Sequence, residues 1–208
     1  MCRFRLKEHA VIADIEKAFL NVTLHPDDRD VTRFFWLSDI SDPNSPWDTY
    51  RFKSVLFGAT CSPFILDATI RKHLDGNTDP TASHILQGLY VDNVVNSFDS
   101  KAETIDYFHK SRALMDSAGF NLRSWKSSYA PLNDLAAEHG VLDTNPSPKV
   151  LGLVWDPLND TLTFPPYQHT QLEMMTKREA VSAIAKIYDP LGILGPVVVR
   201  AKIFLQKL

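Results

Sequence analysis

The sequence predicts an α+β fold, and three observations support that class. Short apolar runs occur in pairs separated by polar turn residues, which is typical of antiparallel hairpins. Helical segments with capping residues lie between these pairs instead of alternating regularly with single strands. The chain has 208 residues, of which 44% are apolar, so an antiparallel central sheet with helices on one face can bury a substantial core.

The strands of the first half are predicted from β-branched and aromatic residues bounded by turn residues. They lie at residues 11–13, 32–37, 50–56, 85–90 and 94–98. Turns are predicted at 26–28 and at Asp92-Asn93. A polar loop at 39–46 joins the second and third strands into a hairpin.

Two helices in the first half are predicted from their capping residues. Ser62 at the N-cap and Pro63 at the first helical position begin the first helix. Ser100 and Glu103 form a capping box at the start of the second. The helices extend to Leu74 and to Ala118.

The last third of the chain is predicted to contain a hairpin and two helices. The hairpin has strands at 149–155 and 161–164. Thr176 and Glu179 form a capping box for a helix whose apolar face extends to Tyr188 and which Pro190 stops. The final helix is predicted at 197–205, although its valine-rich start would suit a strand equally well.

Composition narrows the class of protein. The net charge of −3 does not indicate an overall nucleic-acid binder, but the segment 176–208 has six lysines and arginines against two acidic residues. The two cysteines lack metal or disulfide spacing, which favours an intracellular, cytoplasmic protein. No apolar run has the length of a membrane span, so no membrane partner is expected.

Two aspartates are the most informative residues. Asp14 and Asp92 each lie beside an apolar, strand-like run, where burial of an unpaired carboxylate is costly. Alone, Asp92 is better explained as a hairpin-turn residue, and Asp14 is explained equally well as a strand-end residue that caps the next turn. Brought together on central strands, the two could bind divalent cations, as two-metal phosphoryl transfer requires.

Several motifs, in this order, resemble the motif set of reverse transcriptases. They are Asp14-Ile15 with Ala18-Phe19, Phe57-Gly58 with Ser62-Pro63, and Tyr90-Val91-Asp92. The segments 119–126, 150–156 and 176–208 are similar to the Pao/BEL group of long-terminal-repeat retrotransposons. The resemblance implies a polymerase palm, a residual fingers segment and the start of a helical thumb or connection region. The segment 1–130 would be the palm with partial fingers, 131–175 a linker with a primer-grip-like hairpin, and 176–208 the start of the thumb.

The resemblance also implies a cofactor, partners and metal ligands. Asp14 and Asp92, assisted by the Ile15 carbonyl, would bind two Mg²⁺ ions, with Mn²⁺ as an alternative. The partners would be an RNA or DNA template with its primer, deoxynucleoside triphosphates and the rest of a polyprotein. An active protein would lie in a retroelement particle.

Further residues receive substrate roles from the resemblance. Phe19 would exclude a ribose 2′-hydroxyl, and its alternative role is a core aromatic. Phe57 and Gly58 would approach the nucleotide and template, and Tyr90 would support the primer end. Lys126 would lie near the departing pyrophosphate, with a solvated surface lysine as the alternative. In the hairpin after residue 149, Gly152 and Trp155 would contribute to the primer grip or only to ordinary packing.

The sequence departs from the family pattern at Asn93, where a second aspartate is expected. One negative charge beside two dications is worth on the order of a few kcal/mol. A loss of that size could lower the rate by about two orders of magnitude or more.

The chain begins 13 residues before Asp14, so the preceding fingers strands are expected to be absent and the protein is expected to be a weakly active or inactive fragment. The alternatives are a non-enzymatic relic that binds nucleic acid or protein, and a scaffold that binds neither.

Overall fold

The computed structural model describes residues 2–166 and 176–207, with the side chains from Phe4 onward. The chain divides into two compact units, Met1–Thr144 and Asn145–Leu208. Residues 167–175, which end the predicted linker segment, lie outside the described residues. The structure is a mixture of helices and antiparallel sheets, which confirms the predicted α+β class.

The first unit is built on a four-stranded antiparallel sheet. Its strands are β1 (His9–Ile15), β4 (Leu89–Tyr90), β5 (Asn93–Phe98) and β6 (Leu122–Ser127). Their order across the sheet is β4-β5-β1-β6. β1 lies between β5 and β6, and six of its seven residues are buried, as expected for a strand covered on both faces.

Four helices pack around one core with this sheet. They are α1 (Ser62–Leu74), α2 (Pro80–Gly88), α3 (Lys101–Asp116) and α4 (Ala130–Glu138). Val11, Ala13 and Ile15 of β1 point into this core together with the fully buried Trp125 of β6. Asp14 alternates with them and therefore lies on the opposite face of the sheet.

A separate hairpin of the first unit exposes its aromatic side chains. It is formed by β2 (Arg33–Leu37) and β3 (Trp47–Arg51), which pair only with each other. Phe35 is 70% exposed and Trp47 is 66% exposed. The predicted hairpin is confirmed, but its second strand is earlier than the predicted 50–56, because Ser54 and Val55 bond to the chain around Val22 instead.

The second unit contains a small sheet and two helices. The sheet has the order β7-β8-β9, with β7 (Lys149–Val150), β8 (Leu153–Asp156) and β9 (Thr161–Thr163). The helices are α5 (Lys177–Ala185) and α6 (Gly195–Gln206). In the described part of the chain, no helix combines the length and the apolar character that a membrane crossing requires.

Three predicted elements are wrong. Residues 85–88 of the predicted strand belong to helix α2, which Asp79 caps by accepting a hydrogen bond from the Thr81 amide at 2.8 Å. The predicted strand 149–155 is two strands, because Leu151 and Gly152 have positive φ angles and form a turn. The helix predicted to extend to Tyr188 ends at Ala185, before Pro190 can stop it.

Of the three predicted caps, the first is wrong, the second has the predicted residue without the predicted hydrogen bonds, and the third is confirmed. Cys61 occupies the N-cap of α1, and the Ser62 hydroxyl donates to the Leu56 carbonyl instead. Ser100 is the N-cap of α3, but its side chain makes no capping bond. The Thr176 capping box with Glu179 is present at α5.

Candidate metal centre

Asp14 and Asp92 lie at the same end of the central sheet. The Ile15 amide donates a hydrogen bond to the Asp92 carbonyl at 2.8 Å, and Asp14 is paired with Asn93 across β1 and β5. The amide and carbonyl of one strand residue point to the same side, so the Ile15 carbonyl also faces the Asp92 turn. Two carboxylates and one carbonyl therefore approach one another at this edge.

A two-residue turn holds Asp92 in position. Tyr90 and Asn93 are paired, and Val91 and Asp92 connect them. Val91 has a φ of 56°, a conformation that β-branched residues rarely adopt. Such strain is tolerated only where the surroundings impose it and is often found at functional sites. The turn therefore fixes the position of Asp92 between the paired residues Tyr90 and Asn93.

The electrostatics at Asp14 are unfavourable to its ionised form. Burial, and after it repulsion from Asp92, raises the pKa of Asp14 to about 6, although the Arg123 guanidinium acts in the opposite direction. A divalent cation would offset both the cost of burying the ionised carboxylate and its repulsion from Asp92. The donor set fits Mg²⁺, which needs few protein carboxylates when phosphates and water supply its other ligands.

The protein supplies few ligands of its own to such an ion. Among residues 2–166 and 176–207, no group of three or more His, Cys, Asp or Glu side chains could hold a metal ion. The side chain of Asn93 donates from Nδ2 to the Asp92 carboxylate at 3.0 Å, where the family pattern places another carboxylate. A bound cation would consequently depend on Asp14, Asp92 and the substrate.

Phe19 and Phe57 are brought together beside this edge. Phe19 lies in a short 3-10 helix, Ala18–Asn21, that follows β1, and it is 8% exposed in the core. Phe57 is 84% exposed, and its ring centroid lies 5.5 Å from that of Phe19 in an edge-to-face arrangement. Buried and exposed rings in contact make a wall that continues from the core to the surface.

Gly58 follows Phe57 with a φ of 88°, and a Cβ built there would contact nothing within 4 Å. The left-handed backbone conformation therefore explains why glycine is favoured at position 58. The prediction gave a different reason, the close approach of a nucleotide. The open space around Gly58 leaves room for a ligand.

Tyr90 and Lys126 lie on opposite sides of Asp14. Tyr90 is 58% exposed on β4, and its partner Asn93 is the neighbour of Asp14. The Lys126 ammonium on β6 donates to the Asp143 carbonyl at 3.0 Å, and Lys126 pairs with Ile12. Because Ile12 and Asp14 are two residues apart, all of these positions share one face of the sheet.

Sequence reasoning did not identify Arg123, Glu16 and Asn121 as part of this region. Arg123 is paired with Asp14 across β1 and β6, and it forms an ion pair of 2.9 Å with Glu16. Asn121 donates to the other oxygen of Glu16 at 2.9 Å. These three residues line an open, polar pocket of about 410 Å³. A bulge in β6 produces the pairing, and nothing in the residue pattern indicates it.

Gly152 and Trp155 have clear packing roles in the second unit. A Cβ at Gly152 would lie 2.3 Å from a ring carbon of Tyr188. Trp155 is fully buried, and its indole nitrogen donates to Asp160 at 3.1 Å. The role of these residues in a primer grip stays a prediction.

Comparison with known families gives two matches. Residues 2–154 match the family model for reverse transcriptase, described as RNA-dependent DNA polymerase, and this range is well over half of the chain. Residues 176–208 match the model for a Pao retrotransposon-like RNaseH-like domain. No curated protein matches the chain.

Proposed function

The chain belongs to the reverse transcriptase family, in its Pao retrotransposon type, and on that premise we propose that Asp14 and Asp92 form a two-metal nucleotidyl-transfer site. The reaction is RNA-directed DNA synthesis on a primed template from deoxynucleoside triphosphates. The observation that supports this proposal is the convergence of the two carboxylates at the Ile15–Asp92 hydrogen bond.

Asp14 and Asp92 bind the cations in this proposal, and the Ile15 carbonyl supplies a third oxygen. When bound, two Mg²⁺ ions would activate the attacking primer oxygen and stabilise the charge on the leaving oxygen. The raised pKa of Asp14 supports this assignment, because an ion would replace the hydration that burial removes. Mn²⁺, which also prefers oxygen ligands, is the alternative ion.

Residues around the carboxylates position the substrates. The Phe19 ring, with Phe57 against it, restricts the space for a ribose 2′-hydroxyl. Gly58 borders the nucleotide and template, and Tyr90 supports the primer end. Lys126, which the Asp143 carbonyl holds in place, lies near the departing pyrophosphate.

Asn93 reduces the rate in this proposal. Its amide carries no charge, so the site has one negative charge fewer than the family pattern provides. The expected loss is on the order of a few kcal/mol in the transition state. Weak activity of this chain is the consequence.

Primer extension on a poly-ribonucleotide template tests the proposal. Slow, Mg²⁺-dependent extension that Asp14→Asn abolishes is the expected result. Robust incorporation would refute the weakness that we assign to Asn93. Extension that is unchanged in Asp14→Asn would refute the site itself.

The second candidate function is a catalytically inactive relic that binds nucleic acid or protein. The basic residues of 176–208 favour it, because they can bind phosphates without any metal. Duplex binding that is salt-dependent and needs no Mg²⁺, together with no extension, would identify this function. We propose a cytoplasmic location in either case, and a retroelement particle if the protein is active.

A further inference from the structure

Strand β6 contains a bulge that changes which side chains face the metal centre. Ile12 is paired with Lys126 and Asp14 with Arg123, so Ser124 and Trp125 lie opposite one residue of β1. Ser124 has a φ of 52°, which is unusual for a residue with a side chain. In a regular strand, residues 123 and 126 would point to opposite faces. The bulge therefore places the side chains of both Arg123 and Lys126 on the face of the sheet that carries Asp14.

Arg123 is held in place from one side. Its Nη1 donates to Oε1 of Glu16 at 2.9 Å, and the other oxygen of Glu16 accepts from Asn121 at 2.9 Å. A guanidinium has five N–H donors in a rigid fork, so a group anchored through one nitrogen can bind a ligand through the others. The Arg123 side chain is 49% exposed, and it borders the open polar pocket of about 410 Å³.

The order of charges across the sheet suits one kind of ligand. Asn93, Asp14 and Arg123 follow one another on β5, β1 and β6, so a cation held by the carboxylates has the guanidinium on its other side. Paired residues in an antiparallel sheet lie about 5 Å apart at their Cα atoms. A metal-bound polyphosphate presents its negative oxygens within that distance of the metal, and a guanidinium recognises such oxygens bidentately.

We infer that Arg123 binds the triphosphate of the incoming nucleotide and then the departing pyrophosphate. Glu16 fixes the orientation of the Arg123 side chain for this contact. This inference rests on the proposed function, because the polyphosphate reaches Arg123 through the ions at Asp14 and Asp92. Lys126 is a point charge on the same face, whereas Arg123 adds the planar, two-pronged contact.

Calorimetry without primer tests the inference on the full chain. Mg²⁺ alone, Mg²⁺ with dTTP and Mg²⁺ with inorganic pyrophosphate are titrated into the parent protein and its variants. Arg123→Met should weaken dTTP and pyrophosphate binding by about tenfold or more, while Mg²⁺ binding is retained. Arg123→Lys should restore only part of the affinity, because the fork is lost.

Two controls separate the possible failures. Arg71→Met removes an exposed arginine from a comparable ion pair with Asp67 on α1, and it should leave dTTP affinity unchanged. Asp14→Asn should lose Mg²⁺ and dTTP together. If Arg123→Met binds dTTP as the parent does while Asp14→Asn loses it, the inference is overturned and the proposed function stands. If Asp14→Asn binds as the parent does, the proposed function itself fails.

A fourth titration, with a primer–template duplex, distinguishes the source of the phosphate. Weaker duplex binding by Arg123→Met with unchanged dTTP affinity would overturn the inference and assign Arg123 to the nucleic-acid backbone. Circular dichroism of each variant establishes that it is folded.

Discussion

The side-chain amide of Asn93 donates a hydrogen bond to the carboxylate of Asp92, its neighbour in the chain, with Nδ2 3.0 Å from Oδ1. An ionised aspartate at position 93 could only accept hydrogen bonds, so this contact would be lost. Asn93 therefore orients the Asp92 carboxylate. At the same time it leaves the metal centre with one negative charge fewer than an aspartate at position 93 would give.

Asn93→Asp should raise Mg²⁺ affinity, because a second carboxylate beside Asp92 adds attraction for a dication. Asp14→Asn should abolish Mg²⁺ binding. Calorimetry of both variants checks these expectations. Equal Mg²⁺ affinities in the two variants would count against the metal centre. Without Mg²⁺, Asn93→Asp should be less stable than the parent, because adjacent carboxylates repel.

Stability should depend on pH through Asp14. The pKa of Asp14 is raised from 3.8 to about 6 in the folded protein, so the folded state binds this proton more tightly than the unfolded state. The resulting stabilisation is fully present below pH 3.8 and is lost as the pH rises through about 6. Ionised Asp14 is therefore unfavourable at neutral pH.

Asp14→Asn should raise the free energy of unfolding at about pH 8 by on the order of 1 kcal/mol, after allowance for solvent screening. At about pH 4 the difference should nearly disappear. Urea denaturation of the parent and the variant at the two pH values measures this difference. Asp134→Asn, at an exposed position, is the control. A variant that is less stable than the parent at high pH would contradict the assignment.

Phe19→Val separates the two roles that the sequence left open. Truncation of this core ring should lower the free energy of unfolding by about 2–3 kcal/mol. If Phe19 also restricts the sugar, the variant should bind dTTP and the matching ribonucleotide with more similar affinities. Phe57→Ala is the matched control, and it should cost little stability because Phe57 is 84% exposed. Lower stability with unchanged sugar discrimination would leave Phe19 as a core residue only.

Ser124→Gly should stabilise the protein by about 0.5 kcal/mol, because glycine adopts the φ of 52° without steric cost. Ser124→Val should destabilise it, since a β-branched residue is strained in this conformation. Urea denaturation compares the two variants. Equal effects would show that the left-handed conformation of the bulge does not limit stability.

Gly152→Ala should destabilise the second unit. The new methyl group would lie 2.3 Å from the Tyr188 ring, and the φ of 88° disfavours any side chain. Tyr188 would be displaced, and its hydrogen bond of 2.8 Å to the Leu151 carbonyl would be lost. The expected cost is about 1–3 kcal/mol, measured by limited proteolysis. In a Gly152→Ala/Tyr188→Ala double variant, the two effects should be less than additive.

The central strand and its aspartate were predictable because their signals are local. Val11, Ile12 and Ala13 form an apolar run that only a buried strand or helix explains, and Asp14 interrupts its end. The turn at Asp92 was visible too, but the prediction of Asp92-Asn93 was wrong by one residue, because Asn93 pairs with Tyr90 and the turn is Val91-Asp92. Their meeting in space depended on pairing between strands far apart in sequence, and only the ordered motif set indicated it.

Other elements were missed for identifiable reasons. Residues 85–90 form an apolar run too short to distinguish a helix from a strand, although Asp79-Pro80 was a helix start signal that sequence reasoning did not use. Arg123 was missed because its position depends on the bulge at Ser124, and serine is not a residue that signals positive φ. Register is set by the folded sheet as a whole.

The hairpin of β2 and β3 has a practical consequence for these measurements. Its aromatic rings, with Phe35 and Trp47 among the most exposed, offer adsorption sites to solvatochromic dyes before any heating. In a dye-based melting experiment, the dye fluorescence of the folded protein would therefore already be high before heating and could be mistaken for that of unfolded protein. Circular dichroism avoids this artefact, whereas tryptophan emission would combine the enclosed Trp125 with the exposed Trp47, which reports solvent from the outset.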